Sequence, residues 1–194
     1  VDFGLVRDAD GVVTPKLVEL QAFPSLYGFQ LALGDAYREA HALDDALSPA
    51  FGGLGPDEAR ALVRDAIVGS HDPAETVLME IAPERQKTRP DFVMTEELWG
   101  VRTVDPDDVT VEGRHLYYRR DGRQQRIRRV YNRIIPDELI RTGRTLPFDY
   151  RDDLDVEWGG HPAWYFRVSK ISIPRLSHAS VPRTWFLHEV DALP

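Results

Sequence analysis

Glu19 and Gln21 are the residues of this chain whose types and spacing most clearly suggest chemistry. They lie two apart in the segment 16–21, Lys-Leu-Val-Glu-Leu-Gln, which has the apolar content of a β-strand. Since residues i and i+2 of a strand face the same side, the two side chains should project together. The segment therefore predicts one carboxylate and one carboxamide on the same face of a strand.

A second short strand, residues 1–6, precedes this segment and is joined to it through Asp10-Gly11, a dipeptide typical of hairpin turns. Folding the hairpin brings Asp2 opposite Glu19 or Gln21, depending on the register. The three side chains would then offer oxygen donors of the kind that Mg²⁺ binds together with waters and phosphate oxygens. The alternative is that these acids are simply solvated on the surface of the hairpin.

The composition narrows the classes of protein that the chain can belong to. It has 194 residues, a formal net charge of −8 and no cysteine. The charge argues against nucleic acid as a partner, and the missing thiols exclude disulfides, thiolate zinc sites and a cysteine nucleophile. We find neither a run of apolar residues long enough to cross a membrane nor a secretory signal, so we expect a cytoplasmic location and no membrane partner.

Hydrophobic periodicity predicts an α/β fold with a small mixed sheet, flanking helices and the N-terminal β-hairpin. A strand–helix–strand order over residues 75–104 indicates a parallel unit with a right-handed crossover. Further elements are predicted as a helix over 25–47 with Ser25 as its N-cap, a helix over 57–68, a hairpin of 115–118 with 126–131, a short helix from 136, and a helical stretch over 162–178.

The chain is expected to form a single α/β domain over residues 1–194. Within it we distinguish four consecutive segments by their patterns. They are the metal-binding hairpin 1–24, the helical segment 25–72, the strand–helix–strand unit with its hairpin 73–160, and the helical link 161–194.

Two cationic residues are further candidates for a site. Arg133 ends the arginine-rich strand 126–133, and an arginine at a strand end can clamp a carboxylate or a phosphate through two hydrogen bonds. Pairing with Asp137 or Glu138 on the surface is the alternative. Lys170 follows an aromatic run and can act as a point charge for phosphate, although a single lysine on a helix is usually solvated.

Three segments of the chain, in the same order, resemble the glutathionylspermidine synthase-like, circularly permuted ATP-grasp proteins. The first segment is similar to that family's Asp-Phe hairpin and its Lys-Leu-Leu-Glu-Tyr-Asn-Ala-Asp-Thr-Pro strand, the second to its Tyr-Arg-Arg strand and acidic helix, and the third to its Glu-Pro-Ala-Trp and Ser-Asn-Lys-Ala-Ile-Leu-Pro segment. In this chain they are Asp2-Phe3 with 15–24, 130–133 with 137–139, and 161–164 with 169–174.

The resemblance implies a fold, an activity and a set of site residues. Asp2, Glu19 and Gln21 would bind Mg²⁺ beside the ATP phosphates, and Lys170 would contact the nucleotide. Arg133 is the candidate catalytic residue because of its place at the strand end. The family couples ATP cleavage to the joining of a carboxylate with an amine through an acyl phosphate. The implied cofactors are therefore Mg²⁺ and ATP, and the implied substrates are a small-molecule or peptide carboxylate and an amine.

The chain also departs from the family pattern. Gln21 stands where the family has Asn, which lengthens the side chain by one methylene and leaves open whether the metal contact is kept. His161 replaces Glu, and neither the glycine-rich lid nor the second metal-binding lobe is recognisable. The resemblance thus implies a pre-ATP-grasp-like domain whose partner is the remaining ATP-grasp lobe of the same protein. We expect the isolated chain to be catalytically inactive.

Two other functions fit parts of the same pattern. A magnesium-dependent nuclease would place an acid on one strand and Glu-x-Lys on the next, a pattern that Asp2 and Glu19 match and Gln21 does not. A non-catalytic binding domain that has lost metal chemistry is the other alternative.

Overall fold

The computed structural model describes residues 1–21, 25–44, 46–47, 50 and 52–191. Their contacts divide into two compact units, one comprising Val1–Phe23 with Ala163–Pro194 and the other Pro24–Pro162. The single domain over residues 1–194 stays a prediction. Residues 22–24, the end of the predicted hairpin segment 1–24, lie outside the described residues.

The predicted α/β class, with its N-terminal antiparallel hairpin, is confirmed. In chain order the elements are β1 (Asp2–Arg7), β2 (Val13–Glu19), α1 (Tyr27–His41), α2 (Pro56–Val68), β3 (Thr76–Met79), α3 (Arg89–Trp99), β4 (Arg102–Val104), β5 (Thr110–Glu112), β6 (His115–Arg120), β7 (Arg123–Ile127), β8 (Arg129–Asn132), α4 (Pro136–Thr142) and β9 (Glu157–Gly159). Among the described residues, no helix has the length and apolar character that crossing a membrane requires.

A parallel four-stranded sheet with the order β4-β3-β8-β9 forms the centre of the larger unit. The antiparallel pairs lie in two separate sheets, β1-β2 and β5-β6-β7. All four residues of β3 and all four of β8 are buried, because both faces of a parallel sheet are covered. The β3–α3–β4 unit has the parallel crossover that the sequence predicts.

The two faces of the central sheet pack against different layers. One face packs its Leu78 and Tyr131 against the helical layer formed by α2 and α3. The opposite face packs its Val77 and Val130 against the antiparallel sheet and the segment that follows β8. The chain therefore leaves β3 over the helical face through α3 and leaves β8 over the other face.

The start of α1 corrects the N-cap assigned to Ser25. The helix begins after Leu26, whose φ of 62° is left-handed, and no side chain of the N-cap residue contributes a hydrogen bond. Asp91 of α3 supplies the acceptors instead, since its carboxylate oxygens accept from Leu26 N at 3.2 Å and Phe29 N at 3.0 Å. A buried carboxylate that is distant in sequence thus accepts the hydrogen bonds of N–H groups that the side chain of an N-cap residue normally accepts.

The predicted length of α1 is also corrected, because the helix ends at His41 and not at residue 47. Ala42 adopts a left-handed conformation with φ 45°, and its N–H donates to the Arg38 carbonyl. The Arg38 guanidinium then donates to the carbonyls of Asp44 at 3.4 Å and Leu47 at 2.7 Å. These contacts satisfy carbonyls beyond the helix end that a continued helix would have paired internally.

The hairpin predicted for 115–118 with 126–131 is present, but only Arg126 and Ile127 of its second predicted segment belong to it, so the extent of that strand is corrected. These two residues complete β7, which pairs with β6, whereas Arg129–Asn132 forms β8 beside β3. At the break, Arg128 N donates to Glu75 O at 2.8 Å, and Glu157 N donates to Arg128 O at 2.7 Å. The apolar alternation alone did not reveal this change of partner.

The helical stretch predicted over 162–178 is present only as two 3-10 helices, Pro162–Phe166 and Lys170–Arg175. Ser169 separates them in an extended conformation, with its side chain accepting from Ile171 N at 3.4 Å. Pro174 provides no N–H for a continuous α-helix. The short 3-10 helix that begins at Lys170 matters for the site described below.

Gly28 marks a close approach between α1 and α3 that has a testable consequence. A Cβ added at this position would lie 3.0 Å from both the backbone N and the Oγ1 of Thr95. We expect Gly28→Ala to lower the free energy of unfolding by about 1–3 kcal/mol through overpacking. At an open helical position the same change would instead raise stability by up to about 1 kcal/mol. Urea denaturation would measure the sign of the change in the free energy of unfolding. A variant that is more stable than the unmodified chain would contradict this packing.

Candidate functional site

The hairpin of the smaller unit places Asp2 directly opposite Glu19. The antiparallel register pairs Asp2 with Glu19 and Phe3 with Leu17, with an irregularity between residues 2 and 3. Gln21 follows on the same side, with its amide nitrogen 3.5 Å from Asp2 Oδ2. Asp2, Glu19 and Gln21 therefore gather at the open end of the hairpin, away from the turn.

The turn at the other end fixes the register of the strand pairs between Phe3–Leu17 and Arg7–Val13. Asp8 N donates to Val12 O at 3.0 Å, and the Asp8 carboxylate accepts from Asp10 N at 3.0 Å and Val12 N at 2.8 Å. Gly11 adopts a positive φ of 82°, which a glycine reaches without strain. Beyond these pairs, the irregularity between residues 2 and 3 places Glu19 opposite Asp2, whereas the uninterrupted register would place Val18 there.

Lys170 comes to the same place from the C-terminal part of the smaller unit. Its Nζ lies 3.1 Å from Glu19 Oε1. The chain around residue 180 runs along the outer edge of β2, where Ser180 O accepts from Leu17 N at 2.7 Å. Lys16 Nζ donates to the neighbouring Ala179 carbonyl at 2.8 Å. The structure thus joins four of the five predicted site residues in one cluster, which we call the hairpin cluster: Asp2, Glu19, Gln21 and Lys170.

The electrostatics of the hairpin cluster follow from its two facing carboxylates. Like charges directly across a strand pair destabilise it, and a cation close to Glu19 offsets that repulsion. The Lys170 side chain is 69% exposed and that of Glu19 30% exposed. An ion pair this open contributes at most about 1 kcal/mol, so another cation can displace the ammonium at little cost.

The donor set fits Mg²⁺ by its chemistry. Among the described residues, no group of three His, Cys, Asp or Glu side chains is arranged to hold a metal ion. The hairpin cluster offers a smaller set, two carboxylates and one carboxamide. These are hard oxygen donors, and Mg²⁺ usually takes only one or two carboxylates and keeps several waters or phosphate oxygens. Gln21 directs its nitrogen toward Asp2, and a half-turn of the amide would present its oxygen instead.

Arg133, the fifth predicted residue, belongs to the larger unit and is buried there. Its Nε lies 3.4 Å from Glu80 Oε2, and both side chains are only 5% exposed. A second nitrogen lies 3.4 Å from Thr88 Oγ1, and the guanidinium stands over the Phe92 ring at 5.5 Å. Its acidic contact in the described part of the chain is thus with Glu80, in place of the surface pairing expected with Asp137 or Glu138.

Glu80 and Arg133 meet because each follows one of two adjacent parallel strands. Met79 of β3 is in register with Asn132 of β8, so the next residues of both strands lie at the same edge of the sheet. The chain leaves β3 over one face and β8 over the other, as described above. In open α/β sheets, ligands bind at the carboxyl ends of strands where the connections diverge in this way.

Burial changes the acidity of this pair. Desolvation raises the pKa of Glu80 to about 7, against the opposing effects of the Ile81 N–H and the Arg133 guanidinium. Ile81 N donates to Glu80 Oε1 at 2.9 Å. Glu80 therefore changes its protonation state near neutral pH, which ordinary glutamates do not.

Sequence reasoning missed Glu80. The sequence contains one indication that Glu80 is unusual: it is the single acid in the otherwise apolar segment 77–82, which is predicted to be buried. An acid at such a position must be paired or protonated, since an isolated buried carboxylate is costly. The partner, however, lies 53 residues away in sequence, and only the strand order brings it close.

Comparison of the chain with protein-family models, with curated proteins and with solved structures gives no match. The resemblance to the ATP-grasp proteins therefore rests on the sequence motifs of this chain and stays a prediction.

The raised pKa of Glu80 predicts a pH dependence of stability. Between pH 4.5 and about 7 the folded chain holds a proton that the unfolded chain has lost, so the free energy of unfolding falls as pH rises through this window. Glu80→Gln should abolish this loss, which amounts to at most about 3 kcal/mol. Urea denaturation of both proteins at several pH values would measure the difference.

Glu84→Gln is the matched control, because it removes the same charge from a side chain that is 79% exposed. Its stability should follow that of the unmodified chain across the window. Parallel curves for the unmodified chain and Glu80→Gln would contradict the raised pKa. The loss of the ionic contact with Arg133 in Glu80→Gln lowers stability at every pH and does not imitate the slope.

Proposed function

We propose that this chain carries the metal and phosphate side of an ATP-dependent carboxylate–amine ligase of the ATP-grasp type. The observation that supports the proposal is the hairpin cluster, in which two facing carboxylates, a carboxamide and an ammonium group converge. These residues occupy the positions at which the chain resembles the family's Mg²⁺ and nucleotide ligands. The location is proposed to be cytoplasmic.

In this proposal each residue of the hairpin cluster has one role. Asp2 and Glu19 hold Mg²⁺ through their carboxylates, and Gln21 contributes its amide oxygen. Lys170 contacts a phosphate oxygen of the nucleotide. When bound, Mg²⁺ and ATP supply an activated phosphoryl group whose charge the cation neutralises. The 69% exposure of Lys170 supports this role, since its ammonium can reach a ligand arriving from solvent.

Arg133 is proposed to bind a carboxylate ligand at the carboxyl ends of β3 and β8 in the larger unit. An arginine at the carboxyl end of a parallel strand suits a carboxylate, which it binds through two parallel hydrogen bonds. In the structure its contacts include Glu80 at 3.4 Å. Burial raises the pKa of Glu80 to about 7, so the negative charge on that contact is lost as the pH falls through neutrality.

A magnesium-dependent nuclease is a second candidate, and one observation favours it. Such an enzyme needs a lysine beside its paired acids, and Lys170 supplies an ammonium 3.1 Å from Glu19 although position 21 is Gln. The net charge of −8 opposes binding of a polyanion such as DNA. Magnesium-dependent nicking of plasmid DNA that Glu19→Ala abolishes would favour the nuclease over the ligase.

Metal titration tests the site on which the proposal depends. We expect the chain to bind one Mn²⁺, used as a spectroscopic substitute for Mg²⁺, and Asp2→Asn or Glu19→Gln to weaken this binding at least tenfold. Removing one of two charged oxygen donors is the physical reason. Electron paramagnetic resonance of free Mn²⁺ would measure the affinity, and excess Mg²⁺ should compete.

Asp10→Asn is the matched control, because it removes the same charge from the exposed turn at the far end of the same hairpin. It should leave the Mn²⁺ affinity unchanged. Equal losses in all three variants would indicate unspecific attraction to an acidic surface. If the unmodified chain binds neither Mn²⁺ nor Mg²⁺–ATP, the alternative of a non-catalytic binding domain would be favoured.

A further inference from the structure

We infer that the larger unit has a binding cavity between α1 and α2 that takes an amphipathic carboxylate, a ligand with an apolar body and a single carboxylate group. The cavity has a volume of about 410 Å³, and small-molecule sites typically have about 300–1,000 Å³. It is lined by residues between 27 and 63, so it shares no residue with the hairpin cluster or with the Glu80–Arg133 pair. The inference therefore does not depend on the proposed metal site.

The inner wall of the cavity is apolar because both helices line it with apolar side chains. Leu31 of α1 and Val63 of α2 line the cavity and also pack against the buried cluster on the helical face of the sheet. Ala59, one turn before Val63, is buried and contributes only a methyl group, and Gly34 of α1 contributes no side chain. These two small residues leave space between the helices that larger side chains would fill.

The apolar lining continues to the surface. Leu54 and Pro56 line the cavity from the segment that enters α2, and Leu62 of α2 lines it while remaining 60% exposed. Water gains few hydrogen bonds against such walls. An apolar ligand that displaces this water is favoured, since apolar surface of both partners is removed from solvent.

An arginine marks the edge of the cavity at which a carboxylate would bind. Arg60 of α2 pairs through Nη2 with Asp35 of α1, and both side chains line the cavity. The Nη1 of Arg60 lies 3.7 Å from Asp57 Oδ1, beyond hydrogen-bond distance. Since a guanidinium has five N–H donors, Arg60 can hold Asp35 and still donate to a ligand.

The charges of the lining favour an anionic group over a cationic one. The charged residues that line the cavity are Asp35, Arg38 and Arg60, two cations and one anion. The Asp35 and Arg60 side chains are 53% and 36% exposed, so their ion pair is weak and opposes an entering carboxylate little. An arginine can bind a carboxylate through two parallel charge-assisted hydrogen bonds, which neither an alcohol nor an ammonium group can accept.

The experiment titrates the unmodified chain with decanoate, decan-1-ol and decyltrimethylammonium, each below its micellar concentration. The three probes share an apolar chain and differ in the charge of the head group. We expect decanoate to bind about tenfold more tightly than the alcohol, because it alone accepts charge-assisted hydrogen bonds from Arg60, and the cation to bind most weakly. Isothermal titration calorimetry would measure the affinities, and backbone-amide chemical shifts should change mainly within residues 27–63.

Two substitutions separate the apolar body from the carboxylate. Ala59→Leu should weaken decanoate binding about tenfold, because its added carbons occupy the cavity, without lowering the unfolding temperature as overpacking would. Arg60→Met should weaken decanoate binding about tenfold and leave decan-1-ol binding within about twofold. Arg64→Met is the matched control, since Arg64 lies one turn further along α2, is exposed and lies outside the cavity lining. It should leave the decanoate affinity unchanged.

Several results would refute the inference. Equal affinities for the three probes, or tightest binding of the cation, would contradict the carboxylate. Unchanged decanoate binding in a folded Ala59→Leu variant, or chemical-shift changes centred outside residues 27–63, would contradict the cavity. Binding of none of the probes would contradict both. Since none of these titrations uses Mn²⁺, failure of this inference and failure of the proposed metal site are distinguishable.

Discussion

The pairing of Asp2 with Glu19 across the N-terminal hairpin is the constraint on which the candidate site depends. Two carboxylates facing each other across antiparallel strands repel, so this arrangement persists only with a compensating donor nearby. Lys170 and Gln21 provide that compensation with an ammonium and an amide nitrogen. The same pair of acids that destabilises the hairpin on its own is the basis of the proposed cation site.

The two charged clusters of the chain illustrate opposite consequences of burial. The contact between Glu19 and Lys170 is open to solvent, where an ion pair is weak and easily exchanged. The side chains of Glu80 and Arg133 are both buried, and desolvation raises the pKa of the Glu80 carboxyl to about 7. The exposed pair is therefore suited to exchanging cations, whereas the buried pair is suited to responding to protons or to anchoring the carboxyl ends of two strands.

Local patterns anticipated much of the architecture because they reflect local physics. The helical period predicted α2, and a Pro-started, Gly-closed segment predicted α3, which ends where Gly100 adopts a left-handed conformation that favours glycine. The predictions failed where a distant partner decided the outcome. Asp91 caps α1 across 65 residues in place of Ser25, and the arginine-rich strand divides because Arg129–Asn132 pairs with β3.

The sequence by itself determined which residues of the hairpin could meet. The spacing of Glu19 and Gln21 indicates a shared strand face, and Asp10-Gly11 indicates a reversal of the chain. Both are properties of a few consecutive residues. It also supplied the motifs on which the family resemblance rests. Only the tertiary structure decided that Asp2 faces Glu19, that Lys170 reaches the same point from 151 residues away, and that Glu80 pairs with Arg133. Register, strand order and burial are set by the packing of segments far apart in the chain, and no local pattern carries that information.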